Sequence, residues 1–188
     1  AVGTIAADGT VTGEVALHNE YFNLTLADGV TVDGNGYTIS GLAYVGEGAA
    51  SVSLFTKLPA NSKVVDINFD NCVIVNKGLE RQSHAALIAY EIYGDVINVN
   101  ATNITMMGVI TLTNGYSWMG GFGVYVKTTK STGRNVPTTL QGLYDIISGK
   151  DTNAKLLKTP TIANCRIDGD IVVSFKGPEA SSSAATMA

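Results

Sequence analysis

The chain has 188 residues, which is enough for one domain with a sizeable core, and only 15% of them are charged. Its formal net charge of −4 argues against a nucleic-acid-binding protein, because phosphate binding needs a basic surface. No apolar run reaches the roughly 20 residues of a membrane-spanning helix, so no membrane span is expected. With 21 Gly and many Val, Ile and Thr residues, the composition predicts strands and turns.

The N-terminal stretch begins AVGTIAADG without Met, as expected of a processed, secreted chain. Residues 10–29 are predicted either to cap the fold or to add a strand pair. Three Asn-X-Ser/Thr sequons make Asn23, Asn100 and Asn103 candidate glycosylation sites, although sequons also arise by chance in a chain rich in Asn and Thr. Together with a Ser/Ala-rich tail at 177–188, these features predict an extracellular, cell-surface protein.

A repeat runs through the middle of the chain. Four stretches carry an Asn at the same point of a similar apolar pattern, namely TVDGNGYTI (31–39), INFDNCVIV (67–75), VNATNITMM (99–107) and PTIANCRID (160–168). The aligned residues are Asn35, Asn71, Asn103 and Asn164. The first two intervals between them are similar and the last is nearly twice as long, so it is interpreted as one repeat plus an insertion. The apolar segments VSLFT (52–56), ALIAY (86–90) and GGFGVYV (120–126) form a second repeated element.

Repeats of this length with corners rich in Gly and Asn predict a solenoid. Asn suits a corner because it tolerates the left-handed backbone conformation, and stacked Asn side chains can hydrogen-bond along the stack as a ladder. The predicted fold is all-β, a short parallel β-helix (β-solenoid) of three to four coils. The alternative is an antiparallel sandwich or jelly roll with Asn in its turns.

A change in composition places an insertion at about 128–158. Within it, residues 138–149 carry apolar side chains at helical spacing, and Gly149 stands where it would end a helix. The apolar positions are Leu140, Leu143, Ile146 and Ile147. We therefore expect a single β-solenoid domain over 1–188 with one short helix in the insertion.

Two parts of the repeat resemble known proteins. The stretch GVTVDGNGYTISG (29–41) resembles the first coil of right-handed parallel β-helices of the pectate-lyase-like superfamily. INFDNCVIV and IANCRIDGDIVV resemble repeat units of secreted bacterial and archaeal surface β-helix proteins. The resemblance covers about 120 of the 188 residues and implies a right-handed coil, but a fold of this kind does not carry a function.

The catalytic motifs of the pectin-cleaving members are not found. Those enzymes use paired Asp residues, a Gly-His-Gly and an Arg-x-Lys pattern or a basic cleft, and this chain has no Gly-His-Gly. The carboxylates best placed to project from one side are Asp66, Asp70, Asp168 and Asp170. Paired carboxylates can bind Ca²⁺ or cleave a glycosidic bond, but these are interpreted more simply as solvated, outward side chains. No catalytic residue is predicted.

Two further groups of residues are candidates for binding sites. His18 and His84 lie far apart in the chain without Cys or carboxylate at ligand spacing, so neither a metal nor another cofactor is expected. Trp118, Phe122 and Tyr125 are candidates for an aromatic sugar platform, and a packed edge or a subunit contact explains them equally well.

The two cysteines, Cys72 and Cys165, each follow an aligned Asn, which places them at one phase, two coils apart. Stacked coils lie about 4.8 Å apart, so their Cα atoms would be about 9.6 Å apart, beyond the 4.4–6.8 Å of a disulfide. An intramolecular bridge is therefore disfavoured. Free thiols, bonds between subunits and a wrong alignment remain as alternatives, and an oxidising exterior favours the intersubunit bond.

A short stack needs polar caps, yet DIVVSF (170–175) ends the strands without an amphipathic helix to cover them. At least one end is therefore expected to be an open strand edge that pairs with another molecule. The leading hypothesis is a secreted structural protein that self-assembles by strand stacking into a cell-surface layer, sheath or filament. The alternative is a carbohydrate-binding or polysaccharide-cleaving β-helix domain, with a cell-surface polysaccharide as partner. A phage or adhesin stalk fragment would instead form closed trimers.

Overall fold

The computed structural model describes residues 4–6, 10–12, 16–78, 82–110, 117–127, 139–148 and 159–175. The strands of the first half are β1 (Thr4–Ile5), β2 (Val11–Thr12), β3 (Leu24–Thr25), β4 (Thr31–Asp33), β5 (Thr38–Ser40), β6 (Ala43–Glu47), β7 (Ser51–Val52), β8 (Phe55–Leu58), β9 (Lys63–Asp70) and β10 (Val73–Lys77). Those of the second half are β11 (His84–Ala86), β12 (Ala89–Ile92), β13 (Asp95–Ile110), β14 (Met119–Gly120), β15 (Gly123–Val126), β16 (Ile162–Ala163) and β17 (Arg166–Phe175). A 3-10 turn covers Asn19–Tyr21, and helix α1 covers Leu140–Ile147.

The described strands form three sheets and one separate hairpin. The first sheet has eight strands, in the order β4-β9-β13-β10-β6, with β5 also paired to β9 and with β16 and β17 paired to β13. The second sheet has the order β14-β11-β7 and the third β15-β12-β8-β3. All pairings within these three sheets are parallel, whereas β1 and β2 pair antiparallel. The prediction of an all-β chain with parallel strands is confirmed, and an antiparallel sandwich is not compatible with these pairings.

The chain returns to each sheet at a nearly constant interval. Val32 pairs with Val64, and Val64 with Val96, at the interval of 32 residues that also separates Asp66 from Asn98. In the third sheet Phe55 pairs with Ala89, which is a slightly longer interval. We call each passage a rung, so that rung 1 consists of β3–β6, rung 2 of β7–β10, rung 3 of β11–β13 and rung 4 of β14–β17. Residues that pair from rung to rung are called a column.

Two corners bend the first sheet, and each is made by residues with a left-handed backbone. At the first corner, φ is 48° at Asn35, 51° at Asp66, 55° at Asn98 and 53° at Asn164. At the second corner, φ is 73° at Gly41, 53° at Asn71, 54° at Asn103 and 152° at Gly169. Because a left-handed residue turns the chain, the alternation of buried side chains restarts after it. In β9 the buried set passes from Val64 to Ile67 and Phe69 across Asp66.

The core lies between the three sheets. Val64 of the first sheet, Val52 of the second and Leu58 of the third all belong to one buried apolar cluster and are at most 1% exposed. A second, smaller cluster combines Ala43, Val73, Val75, Met107 and Val109 of β6, β10 and β13. The first cluster therefore contains side chains from all four rungs, and the second contains side chains from rungs 1 to 3.

The segments outside the repeat are placed as follows. The interval between β15 and β16 contains the predicted insertion, and α1 lies within the segment 138–149 that was expected to be helical. Leu140 is 86% exposed and Tyr144 is 56% exposed. Within 10–29, the structure places β2, which pairs with β1, then a 3-10 turn and β3. Gly149 and the tail at 177–188 lie outside the described residues. Among the helical residues described, none forms a helix long and apolar enough to cross a membrane.

Candidate functional site

The Asn residues of the repeat belong to two corners, not to one ladder. Asn35 and Asn164 lie at the first corner, and Asn71 and Asn103 lie at the second. Rungs 2 and 3 fill the first corner with Asp66 and Asn98, which the alignment missed. The signal was present in the spacing, because Asp66 and Asn98 are 32 residues apart. The aligned Asn residues are unevenly spaced because the first and last of the intervals between them cross from one corner to the other.

Polar side chains on the outside of the first sheet pair from rung to rung. Asn98 donates from Nδ2 to Oδ1 of Asp66 at 2.7 Å, and Asn100 donates from Nδ2 to Oδ1 of Asn68 at 3.3 Å. At the second corner, Thr102 and Asn103 both donate to Oδ1 of Asp70, at 2.9 and 2.8 Å. These two hydrogen bonds lower the pKa of Asp70 below its ordinary value. The ladders therefore specify which residues of adjacent rungs lie side by side.

The four candidate carboxylates have structural partners or lie open to solvent. Asp66 and Asp70 accept the ladder hydrogen bonds just described. Asp168 lies 3.3 Å from the guanidinium of Arg166, and both side chains are more than half exposed. Asp170 is exposed on β17. Within the described part of the chain, no group of three or more His, Cys, Asp or Glu side chains is arranged to hold a metal ion.

The two cysteines lie at different phases of the repeat. Cys72 follows the second corner and precedes Val73, which pairs with Thr105, whereas Cys165 follows the first corner and precedes Arg166, which pairs with Asn100. Both thiols are free. The predicted common phase was wrong, because the alignment joined two corners.

The environments of the two thiols also differ. Cys72 is fully buried, and desolvation raises the pKa of its thiol to about 11. Cys165 is half-buried in rung 4, and its Sγ lies 3.4 Å from the Val96 carbonyl oxygen and 3.2 Å from that of Ala163. Of the two, Cys165 is therefore the one that a reagent or a second molecule could reach.

An aromatic cluster occupies the surface formed by β11, β12, β14 and β15. The imidazole of His84 stacks against Trp118 and Tyr90, with centroid distances of 5.1 and 5.8 Å. Tyr125 meets the Trp118 ring edge-on at 5.1 Å, and Lys127 lies over Tyr125 at 4.7 Å. Of the predicted platform residues, Trp118 and Tyr125 are half-buried neighbours.

The remaining predicted residues are distributed over the stack. Phe122, the third predicted platform residue, is 7% exposed and belongs to the core. His18 lies at the N-terminal end, far along the chain from the buried His84. The sequon residues Asn23, Asn100 and Asn103 are exposed, and all three make hydrogen bonds to the neighbouring rung.

The N-terminal end of the stack contains an apolar cavity of about 440 Å³. Rung 1 contributes Leu24, Val32 and Ile39 to its wall, and rung 2 contributes Phe55 and Phe69. Leu24 and Ile39 are 42% and 41% exposed, so the side chains of the first rung are not covered as those of the inner rungs are. The lining is almost entirely apolar, which suits hydrophobic packing better than proton transfer or metal binding.

The C-terminal end presents the outer edge of rung 4. β17 pairs with β13 over nine residue pairs on one side, and in the described part of the chain no strand pairs with its other side. Ile162 and Val172 are 41% and 40% exposed there. A comparison of the chain with protein-family models, with curated proteins and with solved structures gave no match. The candidate sites therefore depend on the geometry of this chain alone.

Proposed function

We propose that the four rungs are the coils of a short β-solenoid, right-handed as the resemblance implies, in a secreted structural protein that assembles with copies of itself. Supporting the solenoid is the return of the chain to the same columns at a nearly constant interval. Supporting self-assembly is the long outer edge of β17, since an exposed strand edge is a template for pairing with another chain. The assembly is a layer, sheath or filament at the cell surface.

The observation that carries this proposal is the length of the edge of β17 that no described strand pairs with. β17 extends over ten residues, Arg166–Phe175, and its apolar Val172 is 40% exposed. Soluble monomers blunt such edges with short strands, Pro, charged side chains or β-bulges. β17 is long and contains no Pro, and its charged residues and its register shift lie in its first half, Arg166–Asp170, before Val172. At the other end, the apolar cavity of rung 1 is a second surface whose burial favours association.

The test is concentration-dependent assembly of the purified protein. Sedimentation velocity and negative-stain microscopy, each with and without reductant, should reveal ordered polymers above a critical concentration. Val172→Lys places a charge on the open edge and should raise that concentration. Thr56→Lys is the matched control, because the exposed Thr56 lies in β8, which is paired on both sides. Uniform monomers at every concentration would refute self-assembly.

The second candidate is a carbohydrate-binding domain, favoured by the aromatic cluster. Tyr125 packs edge-on against Trp118 and lies under Lys127, which is ion-paired with Glu91. Tyr and Trp rings are enriched at binding surfaces because one end is apolar and the other is polar. Binding of cell-surface polysaccharides, followed by the fluorescence of Trp118, tests it directly. Retention of a polysaccharide by the wild type and its loss in Trp118→Ala, without polymers, would favour this function over assembly.

A further inference from the structure

The N-terminal edge of the first sheet is covered unevenly. At β6, His18 donates its backbone N–H to the Ala43 carbonyl at 2.8 Å and accepts the Ala43 N–H on Nδ1 at 3.3 Å. Asn19 donates from Nδ2 to the Val45 carbonyl at 3.1 Å and accepts the Val45 N–H on Oδ1 at 3.2 Å. The pair therefore supplies the donors and acceptors that a further parallel strand would supply to β6.

The neighbouring strands of rung 1 differ from β6. β4 and β5 each pair with β9, and in the described part of the chain nothing pairs with their outer sides. The apolar cavity opens beside them, with Val32 and Ile39 in its wall. Within the described residues, β6 is thus covered by two residues, whereas the outer sides of β4 and β5 are unpaired. We call His18 and Asn19 the edge guard.

The columns show that the two ends of the stack match in chemistry. The column of Val32 ends at Ile162, that of Ile39 at Ile167 and that of Val45 at Val172. The polar column of Thr38 ends at Arg166, through Asn68 and Asn100. In these four columns, placing rung 4 of one copy on rung 1 of another stacks apolar on apolar and polar on polar. The column of Ala43 differs, because it ends at the exposed Asp170.

The charges at the two ends are also compatible. In this arrangement Arg166 lies over Thr38, Asp170 over Ala43 and Ser174 over Glu47, so no like charges meet at these positions. Ile162 and Ile167 come to lie over the apolar cavity and cover it. Each copy uses one end to bind and leaves the other end free, which is a heterologous contact that extends without closing.

We propose that β16 and β17 of one copy dock in parallel on β4, β5 and β6 of the next, in the register that the columns continue, and that the edge guard must leave β6 for this to happen. The proposal rests on the proposed self-assembly. It adds which end of one copy binds which end of the next, the register of the paired strands, and the contact that opposes assembly. Asp170–Phe175 of the arriving copy and the edge guard compete for the same edge of β6. Weakening the guard therefore promotes assembly.

The register is tested by cysteine pairs. In a background with Cys72→Ala and Cys165→Ala, the double variant Thr38→Cys/Arg166→Cys places two thiols on adjacent strands of the joint. Neighbouring strands are about 4.8 Å apart, which suits a disulfide. With diamide as oxidant, non-reducing electrophoresis should show a series of dimers, trimers and longer oligomers.

The control for register is Thr31→Cys/Arg166→Cys in the same background. Thr31 is exposed like Thr38, but it pairs in the column of Lys63, which lies on the other side of the first corner from the column of Arg166. This control variant should give no series of cross-linked oligomers. Polymers in the microscope without the Thr38–Arg166 cross-link, or with equal cross-linking of both pairs, overturn the proposed joint while self-assembly stands. Absence of polymers in the wild type would overturn both the proposed joint and the proposed self-assembly.

The guard is tested by Asn19→Ala, which deletes both side-chain hydrogen bonds to Val45. Because the guarded state competes with assembly, the loss of two neutral hydrogen bonds from it should lower the critical concentration for assembly by about tenfold. The control is Asn61→Ala, because Asn61 pairs with Asp28, at 2.8 Å, between rungs 1 and 2 rather than at β6. An unchanged or higher critical concentration in Asn19→Ala, with Asn61→Ala at the wild-type value, overturns the guard.

Discussion

The buried imidazole of His84 predicts that the protein loses stability in mild acid. His84 is 2% exposed, and desolvation lowers its pKa from 6.5 to about 4. Its Nδ1 accepts a hydrogen bond from the backbone N–H of Trp118 at 2.9 Å, so this nitrogen carries no proton in the folded protein. Charging the ring would break that bond and place a cation in a site shielded from water.

The sign and size of the effect follow from the two pKa values. Between pH 6.5 and about 4, the unfolded chain binds a proton at His84 and the folded chain does not, so the free energy of unfolding falls as the pH falls. One pKa unit corresponds to about 1.4 kcal/mol, so the loss reaches about 3 kcal/mol near pH 4. For a domain with a total stability of about 5–15 kcal/mol, this is a large fraction.

The assay is urea unfolding from pH 7.5 to 4, followed by the fluorescence of Trp118. His84→Asn keeps an acceptor oxygen near the position of Nδ1 and removes the titration, so the stability difference between wild type and variant should shrink by about 3 kcal/mol over this range. Thr56→Asn, a change between two uncharged side chains at an exposed position, is the control and should keep the wild-type slope. A wild type and a His84→Asn variant that lose stability in parallel down to pH 4 would refute the reasoning.

Three further substitution and labelling experiments test the corner, the core and the thiols. Asn71→Ala should cost about 1 kcal/mol in urea unfolding, because φ is 53° there, whereas Asn71→Gly should change stability little. Ile74→Ala should cost about 2–5 kcal/mol, since Ile74 is fully buried, and a smaller loss would contradict its packing. Iodoacetamide at pH 8 should label Cys165 well before the buried Cys72, whose pKa is about 11; equal rates by mass spectrometry would contradict this order.

The repeat could be predicted from sequence because its physical cause is local. A left-handed corner selects Asn, Asp or Gly, and the strands around it select alternating apolar residues, so both features are visible without tertiary information. The apolar segments at 52–56, 86–90 and 120–126 were recognised for this reason, and they pair in the second and third sheets.

The assignment of residues to corners could not be predicted in the same way. A rung has two left-handed corners on the first sheet, and Asn71 and Asn164 look alike in sequence although they serve different corners. Only strand register separates them, and register depends on pairing between segments that are distant in the chain. A cap within residues 10–29 was one of the two alternatives that the sequence offered. The two residues of the edge guard could not be named, because the pairing of His18 and Asn19 with β6 leaves no periodic signal in the sequence.

The alternation of buried and exposed side chains along each strand explains why the register at the proposed joint should be strict. Lys63–Asp95 and Glu47–Lys77 join adjacent rungs at 3.8 and 3.1 Å, and each includes a side chain that is at least 46% exposed. Exposed pairs of this kind contribute about 0–1 kcal/mol, too little to hold the rungs together. A shift of one residue in the pairing of two strands, however, would turn every apolar side chain of a strand outward and separate all the polar pairs at once. The alternation of the apolar columns therefore supplies the attraction and most of the register, and the outer polar pairs add to the register. A joint between copies built from the same columns inherits both properties, so cross-linking of the in-register Thr38/Arg166 pair and not of the control pair is the expected consequence.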